Sequence, residues 1–181
     1  MPTSALVSTH WLNANLMNQD LILLDASMEK VVGRAPIIYD SPTFIPNSRK
    51  LDLTGAFCDT ESSQTHALPT PAQYQKTCLQ LGIKQDSQLV IYDNQGIYSA
   101  PRAWWIFKLM GFDRVSVLDG GLPQWQADGY PTTHTALTPT SLNAEHCLEV
   151  RPKPERVCDV DYILANLEDA SLTIVDARGS K

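Results

Sequence analysis

Leu89-Val90-Ile91-Tyr92-Asp93-Asn94-Gln95-Gly96-Ile97-Tyr98-Ser99-Ala100-Pro101-Arg102-Ala103-Trp104-Trp105 is the stretch on which the fold reading turns. Its first four residues are apolar with no polar alternation, the pattern of a strand covered on both faces. Asp93 to Gly96 reads as a turn. A helix follows from about Ser99 to Met110 and is stopped by Gly111, a residue that accepts the left-handed conformation at a helix end. A strand that feeds a helix through a short turn is half of a βαβ unit.

The flanks repeat the theme. Upstream, Thr70-Pro71-Ala72-Gln73 combines an N-cap, a proline at the first helical position and a capping-box glutamine, and the helix it opens ends at Gly82. Downstream, Val115 to Leu118 reads as another apolar strand, and Gly121 to Asp128 as a short helix closed by Gly129. Near the N-terminus, Ser8 caps a helix through Trp11, Leu12 and Leu16, and Leu21 to Leu24 forms a strand that ends at Asp25. Residues 28–70 carry little regular pattern and are expected to be a long irregular excursion. Alternating helices and apolar strands predict an α/β fold, a mostly parallel sheet with helices on both faces.

Net charge is −6, from twenty acidic and fourteen basic residues, and no basic patch stands out, so no nucleic-acid partner is expected. No apolar run approaches the roughly 20 residues that span a bilayer. The first residues, MPTSALVSTHWL, show no basic n-region followed by an apolar h-region, so no membrane partner and a cytoplasmic setting are expected. Cys58, Cys78, Cys147 and Cys158 form no C-x-x-C pair, and His10, His66, His134 and His146 show no H-x-x-x-H spacing. Neither a metal nor a cofactor is expected.

From Tyr130 to about Arg156 prolines and threonines replace periodicity, which predicts a linker. After it, Tyr162 to Arg178 aligns without gaps on Trp11 to Ser27, with six identities in seventeen positions at a constant offset of 151. The identities include Asp25/Asp176 and Ala26/Ala177. We read this as a repeat. The expected organisation is one domain over 1–132, a linker over 133–156, and the first helix and strand of a second copy over 157–181. A lone helix and strand cannot bury a core. They would pack on the first domain, pair with another molecule, or belong to a longer protein, and the last is the reading taken here.

In a parallel sheet, ligands bind beyond the carboxyl ends of strands, where helix N-termini present free N–H groups. The turn from Asp93 to Arg102 is such a cradle for a small oxyanion, and a cysteine at the strand end would have its thiolate stabilised there. The position holds Asp93, a carboxylate that would compete with an anionic ligand. The simpler reading, Asp93 capping the turn and Arg102 paired with a surface carboxylate, is preferred over a catalytic one. Cys78 lies on the apolar face of its helix, and Cys58 has Asp59 beside it, which disfavours a thiolate. His146-Cys147-Leu148-Glu149-Val150-Arg151 lacks the spacing and glycine of a phosphatase loop, and no cysteine has an arginine six residues on.

Leu89-Val-Ile-Tyr-Asp93, Tyr98-Ser-Ala-Pro-Arg-Ala-Trp-Trp105, Val117-Leu-Asp-Gly-Gly-Leu-Pro-Gln-Trp125, Ala67-Leu-Pro-Thr-Pro71 and Val175-Asp-Ala-Arg178 together resemble the first domain, and the opening of the second, in tandem-rhodanese sulfurtransferases. These are the thiosulfate and 3-mercaptopyruvate sulfurtransferases. The resemblance implies a rhodanese-like fold and transfer of sulfane sulfur from a small-molecule donor to a thiol or cyanide through a cysteine persulfide. It implies that the nucleophile belongs to the C-terminal rhodanese domain, with Asp93 at the equivalent position in this copy and no catalytic residue within residues 1–181. His66 falls on the family's histidine; a plain exposed loop histidine is the competing reading. His66, Arg102 and Arg178 are the candidate substrate-binding residues. The family's carboxylate position is Thr54, and its H-I-P-G-A string survives only as Ile45-Pro46 within Phe44-Ile45-Pro46-Asn47-Ser48. The alternative function is a catalytically inactive rhodanese-like binding or regulatory module.

Overall fold

The computed structural model describes residues 4–143 and 148–175. Five strands form one sheet in the order β1-β5-β4-β2-β3, with β1 Leu6–Val7, β2 Leu21–Asp25, β3 Arg49–Lys50, β4 Gln88–Tyr92 and β5 Val115–Leu118. Every pairing is parallel. The helices α1 Thr9–Asn15, α2 Pro71–Gln80, α3 Ala100–Leu109 and α4 Gly121–Ala127 cover both faces. The α/β expectation, with a mostly parallel sheet, holds.

The apolar runs are buried on both sides because alternate residues point to opposite faces. Ile22, Leu24, Leu89, Ile91, Val115 and Val117 face α2 and α3, where Phe57, Tyr74, Phe107 and Phe112 form a chain of ring contacts. Leu23, Val90, Tyr92 and Leu118 face α1 and α4, packing on Leu12, Leu122 and Trp125. Helix starts follow the sequence signals. Ser8 accepts from the Trp11 N–H, and Thr70 and Gln73 form the full reciprocal capping box.

Two short edge strands were not foreseen. Leu6–Val7 pairs only with β5, and Arg49–Lys50 only with β2, so each is created by its neighbour rather than by its own two residues. Of the helix and strand expected to open a second copy, the described residues form the helix, α5 Val160–Ala165 capped by Asp159, while Leu172 to Val175 has no strand structure. In the first copy the matching residues are held by β3 and β4; Leu172 to Val175 has no such neighbour among the described residues, and a strand is stabilised only by pairing.

Described residues of the segment read as a linker are hydrogen-bonded to the domain. Thr133 bridges Phe44, and the N–H groups of Leu137 and Leu142 donate to Ser48 and Leu79 carbonyls at 2.8 and 2.9 Å. Farther on, the N–H groups of Arg151 and Lys153 donate to the Met110 and Leu109 carbonyls at 3.0 and 2.8 Å. The Leu79, Leu109 and Met110 carbonyls lie at the ends of α2 and α3, where the last turn leaves acceptors free for such bonds. The approach is close enough that glycine is required. A Cβ on Gly82 would lie 2.9 Å from the Thr140 carbonyl oxygen, and one on Gly111 would lie 2.7 Å from that of Arg151. Leu148 is fully buried in the α2/α3 core. A loss of about 2–5 kcal/mol is expected for Leu148→Ala in urea unfolding, the range for truncating a buried leucine; an unchanged midpoint would show that this strap is not part of the domain.

Candidate functional site

The chain leaves β2 toward β3 on one side and leaves β4 toward β5 on the other, so β2 and β4 flank the point where strand order reverses. Sites in open parallel sheets lie outside the carboxyl ends of such strands. Asp25 and Asp93 stand there, Asp25 as the last residue of β2 and Asp93 directly after β4.

Asp93 is fully buried. Its Oδ1 accepts from the Gln95 N–H at 2.9 Å, and its Oδ2 accepts from the N–H groups of Tyr98, Ser99 and Ala100 at 2.8, 2.9 and 2.9 Å. The last of these opens α3, whose N-terminus favours negative charge. The cradle expected at this turn therefore exists, and the chain's own carboxylate fills it. No described N–H of the turn from 95 to 100 that points at Asp93 is left over for an external oxyanion.

Arg102 does not pair with a carboxylate, as the simpler sequence reading expected. Its guanidinium donates to the His66 main-chain carbonyl, and its Nε is buried without a partner. His66 is exposed and adopts a left-handed backbone, φ 57°. The structure thus brings His66 and Arg102 together, but through the peptide group rather than the imidazole. Arg178 lies outside the described residues, as do His146 and Cys147. Thr54 serves the neighbouring Asp52: its hydroxyl and N–H donate to Asp52 Oδ1, each at 2.9 Å. Burial pushes the Asp52 carboxyl up, but bonds from Thr54, Gly55 and Ala56 outweigh it and hold it below the usual range.

The departure at Phe44 to Ser48 has a local explanation. Asn47 takes φ 65°, a conformation asparagine tolerates better than most residues. On either side of it, the Tyr92 hydroxyl donates to Ser48 Oγ at 2.9 Å and accepts from the Ile45 N–H at 3.2 Å. The segment is thereby fixed to the end of β4.

Asp25, which the sequence reading used only as a strand end, is the second buried carboxylate at this end of the sheet. It is 4% exposed, and Ser27 donates to its Oδ1 from both the N–H and the hydroxyl. Burial pushes its carboxyl up; the Ser27 bonds and the Lys50 charge pull it back, the Asp93 charge adds to the rise, and the net position is above the ordinary carboxylate range. Its repeat identity with Asp176, at the carboxyl end of a buried strand, was the available signal. Two of the cysteines are enclosed. Cys58 and Cys78 are buried, and burial pushes the Cys78 thiol up to about 12. Cys158 is exposed.

The family described as Rhodanese-like domain matches residues 8–128. Thiosulfate/3-mercaptopyruvate sulfurtransferase 1, mitochondrial, of Arabidopsis thaliana is 36% identical over 95% of this chain and 50% of its own length. The 3-mercaptopyruvate sulfurtransferase of Escherichia coli K12 is 30% identical over 98% of this chain and 62% of its own length. The crystal structure of SseA, a 3-mercaptopyruvate sulfotransferase from Escherichia coli, superposes with a TM-score of 0.82 at 29% identity, over 97% of this chain and 66% of that one. The chain thus spans between half and two thirds of the length of these relatives. No described helix is long and apolar enough to cross a membrane.

Two measurements probe this geometry. Because the fold raises the Asp25 carboxyl above its unfolded value, its ionisation costs stability as pH rises past the unfolded pKa. Asp25→Asn should therefore unfold at higher urea than the parent at pH about 7, with the advantage fading toward about pH 4, the ordinary carboxylate range; a lower midpoint at neutral pH would contradict the burial argument. With iodoacetamide on the native chain, Cys158 should alkylate before Cys58 and Cys78, which should react only once urea opens the core. Prompt labelling of Cys78 in the native state would contradict its placement.

Proposed function

Starting from the fact that the chain belongs to the rhodanese-like domain family, we propose that it holds the copy of a two-domain sulfurtransferase in which Asp93 stands where the other copy has its nucleophilic cysteine. In this reading the protein moves sulfane sulfur from thiosulfate or 3-mercaptopyruvate to a thiol or cyanide. The nucleophile stands in the second copy; the 151-residue offset from Asp93 puts it near position 244, beyond residue 181. Support comes from relatives named as sulfurtransferases and from the repeat that opens after the strap.

The observation that carries the assignment of roles is Asp93 in its cradle. A ring of N–H donors at a helix start is what a thiolate or persulfide anion needs, since such donors stabilise negative charge and lower a thiol pKa. In this copy a carboxylate takes all of them, and covalent sulfur transfer requires a nucleophile that Asp93 cannot supply. The domain's part is then to present His66 and Arg102 at the rim, where an anionic donor would be met, and to hold the second copy through the strap. Thr54, occupied with Asp52, gives no acid–base assistance.

Residues 1–181 should yield no thiocyanate from thiosulfate and cyanide, whereas the product of the complete reading frame should turn over. A persulfide on Cys58, Cys78, Cys147 or Cys158 of the short chain would overturn the assignment. Asp93→Cys tests the cradle itself. After incubation with thiosulfate, this variant should carry cyanide-releasable sulfur that the parent lacks; a folded variant with no such sulfur would count against the cradle as an anion site.

A further inference from the structure

Arg102 spends a cationic side chain on a neutral carbonyl. It is the third residue of α3, and its Nη2 donates to the main-chain oxygen of His66, 36 residues back in the chain. No described ion pair includes it, and its Nε is buried without a partner. The edge formed by Nε and Nη2 is one fork with which arginine grips an oxyanion in two-point fashion. Here one end of that fork is enclosed and the other is bonded, so it is not open to an anion in solution.

His66 is where the irregular excursion turns inward. Residues 63–66 are exposed, whereas Ala67 is buried and Leu68 packs on the α2/α3 core. The Ala67 carbonyl accepts from the Asp59 N–H at 3.4 Å. His66 takes φ 57°, a left-handed backbone shared among the described non-glycine residues only with Asn47. That conformation crowds a side chain and persists where the surroundings impose it, commonly at functional sites. The Arg102 bond falls on this same residue. No described ion pair involves the exposed imidazole, so the backbone of His66 sets where the ring stands.

Arg102 is itself fixed at its root. Asp93 Oδ2 holds the N–H groups of Ser99 and Ala100, and Ser99 Oγ donates to the Ala26 carbonyl at 2.7 Å. The start of α3 is thereby tied to the ends of β4 and β2. From that frame the arginine side chain reaches across to the loop as a strut.

We propose that Arg102 is a positioning residue, acting on an anionic sulfur donor through His66 by holding the His66 backbone in its left-handed form. The donor meets the imidazole, and Arg102 makes no contact with it. This rests on the sulfurtransferase reading above.

Two experiments test it. In NMR of the 181-residue chain, the three-bond coupling between the amide and α protons of His66, together with its Cα shift, reports φ. Arg102→Met suits a helix but removes every donor. In that variant His66 should leave the left-handed form, while Asn47 keeps its positive φ as a control for folding. A positive φ retained at His66 in folded Arg102→Met overturns the proposal. The second experiment is a double-mutant cycle on the product of the complete reading frame, read as kcat/KM for thiosulfate with cyanide as acceptor. Arg102→Met and His66→Ala should each lose about tenfold, the scale of one charge-assisted hydrogen bond, and the double variant should lose no more than either. A direct contact with the donor, or a general loss of packing, would give independent losses that multiply to about a hundredfold. That result overturns the proposal. A complete product without any turnover would refute the sulfurtransferase reading itself, and the φ of His66 in the short chain would still decide whether Arg102 holds it.

Discussion

The Asp93 carboxylate is the point on which the functional end of the sheet is organised. Four backbone N–H groups converge on it, from the turn after β4 and from the start of α3. Each is a donor that would otherwise be buried without a partner, because the helix start leaves its first N–H groups unused. A charged acceptor satisfies them more strongly than a neutral one. The same arrangement that fixes α3 against β4 also removes the cradle from use by an outside anion. Capping the helix start and filling the cradle are one interaction here, seen from two sides.

Asp25, one strand away, is the contrasting case. Its carboxylate is nearly as deeply buried, but its two described bonds both come from Ser27 to Oδ1, and it borders an open cleft. The two carboxylates also feel one another, since the Asp93 charge contributes to the rise of the Asp25 carboxyl. The well-capped aspartate stabilises the turn, whereas burial of Asp25 with fewer donors raises its carboxyl.

The strap after β5 and α4 makes contacts that composition does not announce. Pro- and Thr-rich sequence without periodicity reads as linker because periodicity reports a face buried against a sheet. Here the contacts are main-chain bonds to Phe44, Ser48 and the carbonyls at the ends of α2 and α3, together with the apolar anchors Leu148 and Val150. Neither leaves a repeating trace. The two helix-ending glycines were legible as stop signals, but their second role, admitting the strap, depends on an approach that only the assembled chain makes.

Sequence determined the order of elements, the parallel character of the sheet, the caps of α1 and α2 and the place of Asp93 at a strand end, because each is encoded within a few neighbouring residues. The resemblance to rhodanese domains was legible for the same reason, in strings of adjacent residues. Tertiary structure decided what no local pattern carries. It made strands of Leu6–Val7 and Arg49–Lys50 by giving them neighbours, and it left Leu172 to Val175 without strand structure for want of them. It turned Arg102 from an expected surface ion pair to the His66 carbonyl, and it set Asp25 and Lys50 side by side across two strands. Hydrogen-bond pairing and charge proximity between residues far apart in the chain depend on how the whole chain packs, and their physical cause lies in the fold rather than in any segment of it.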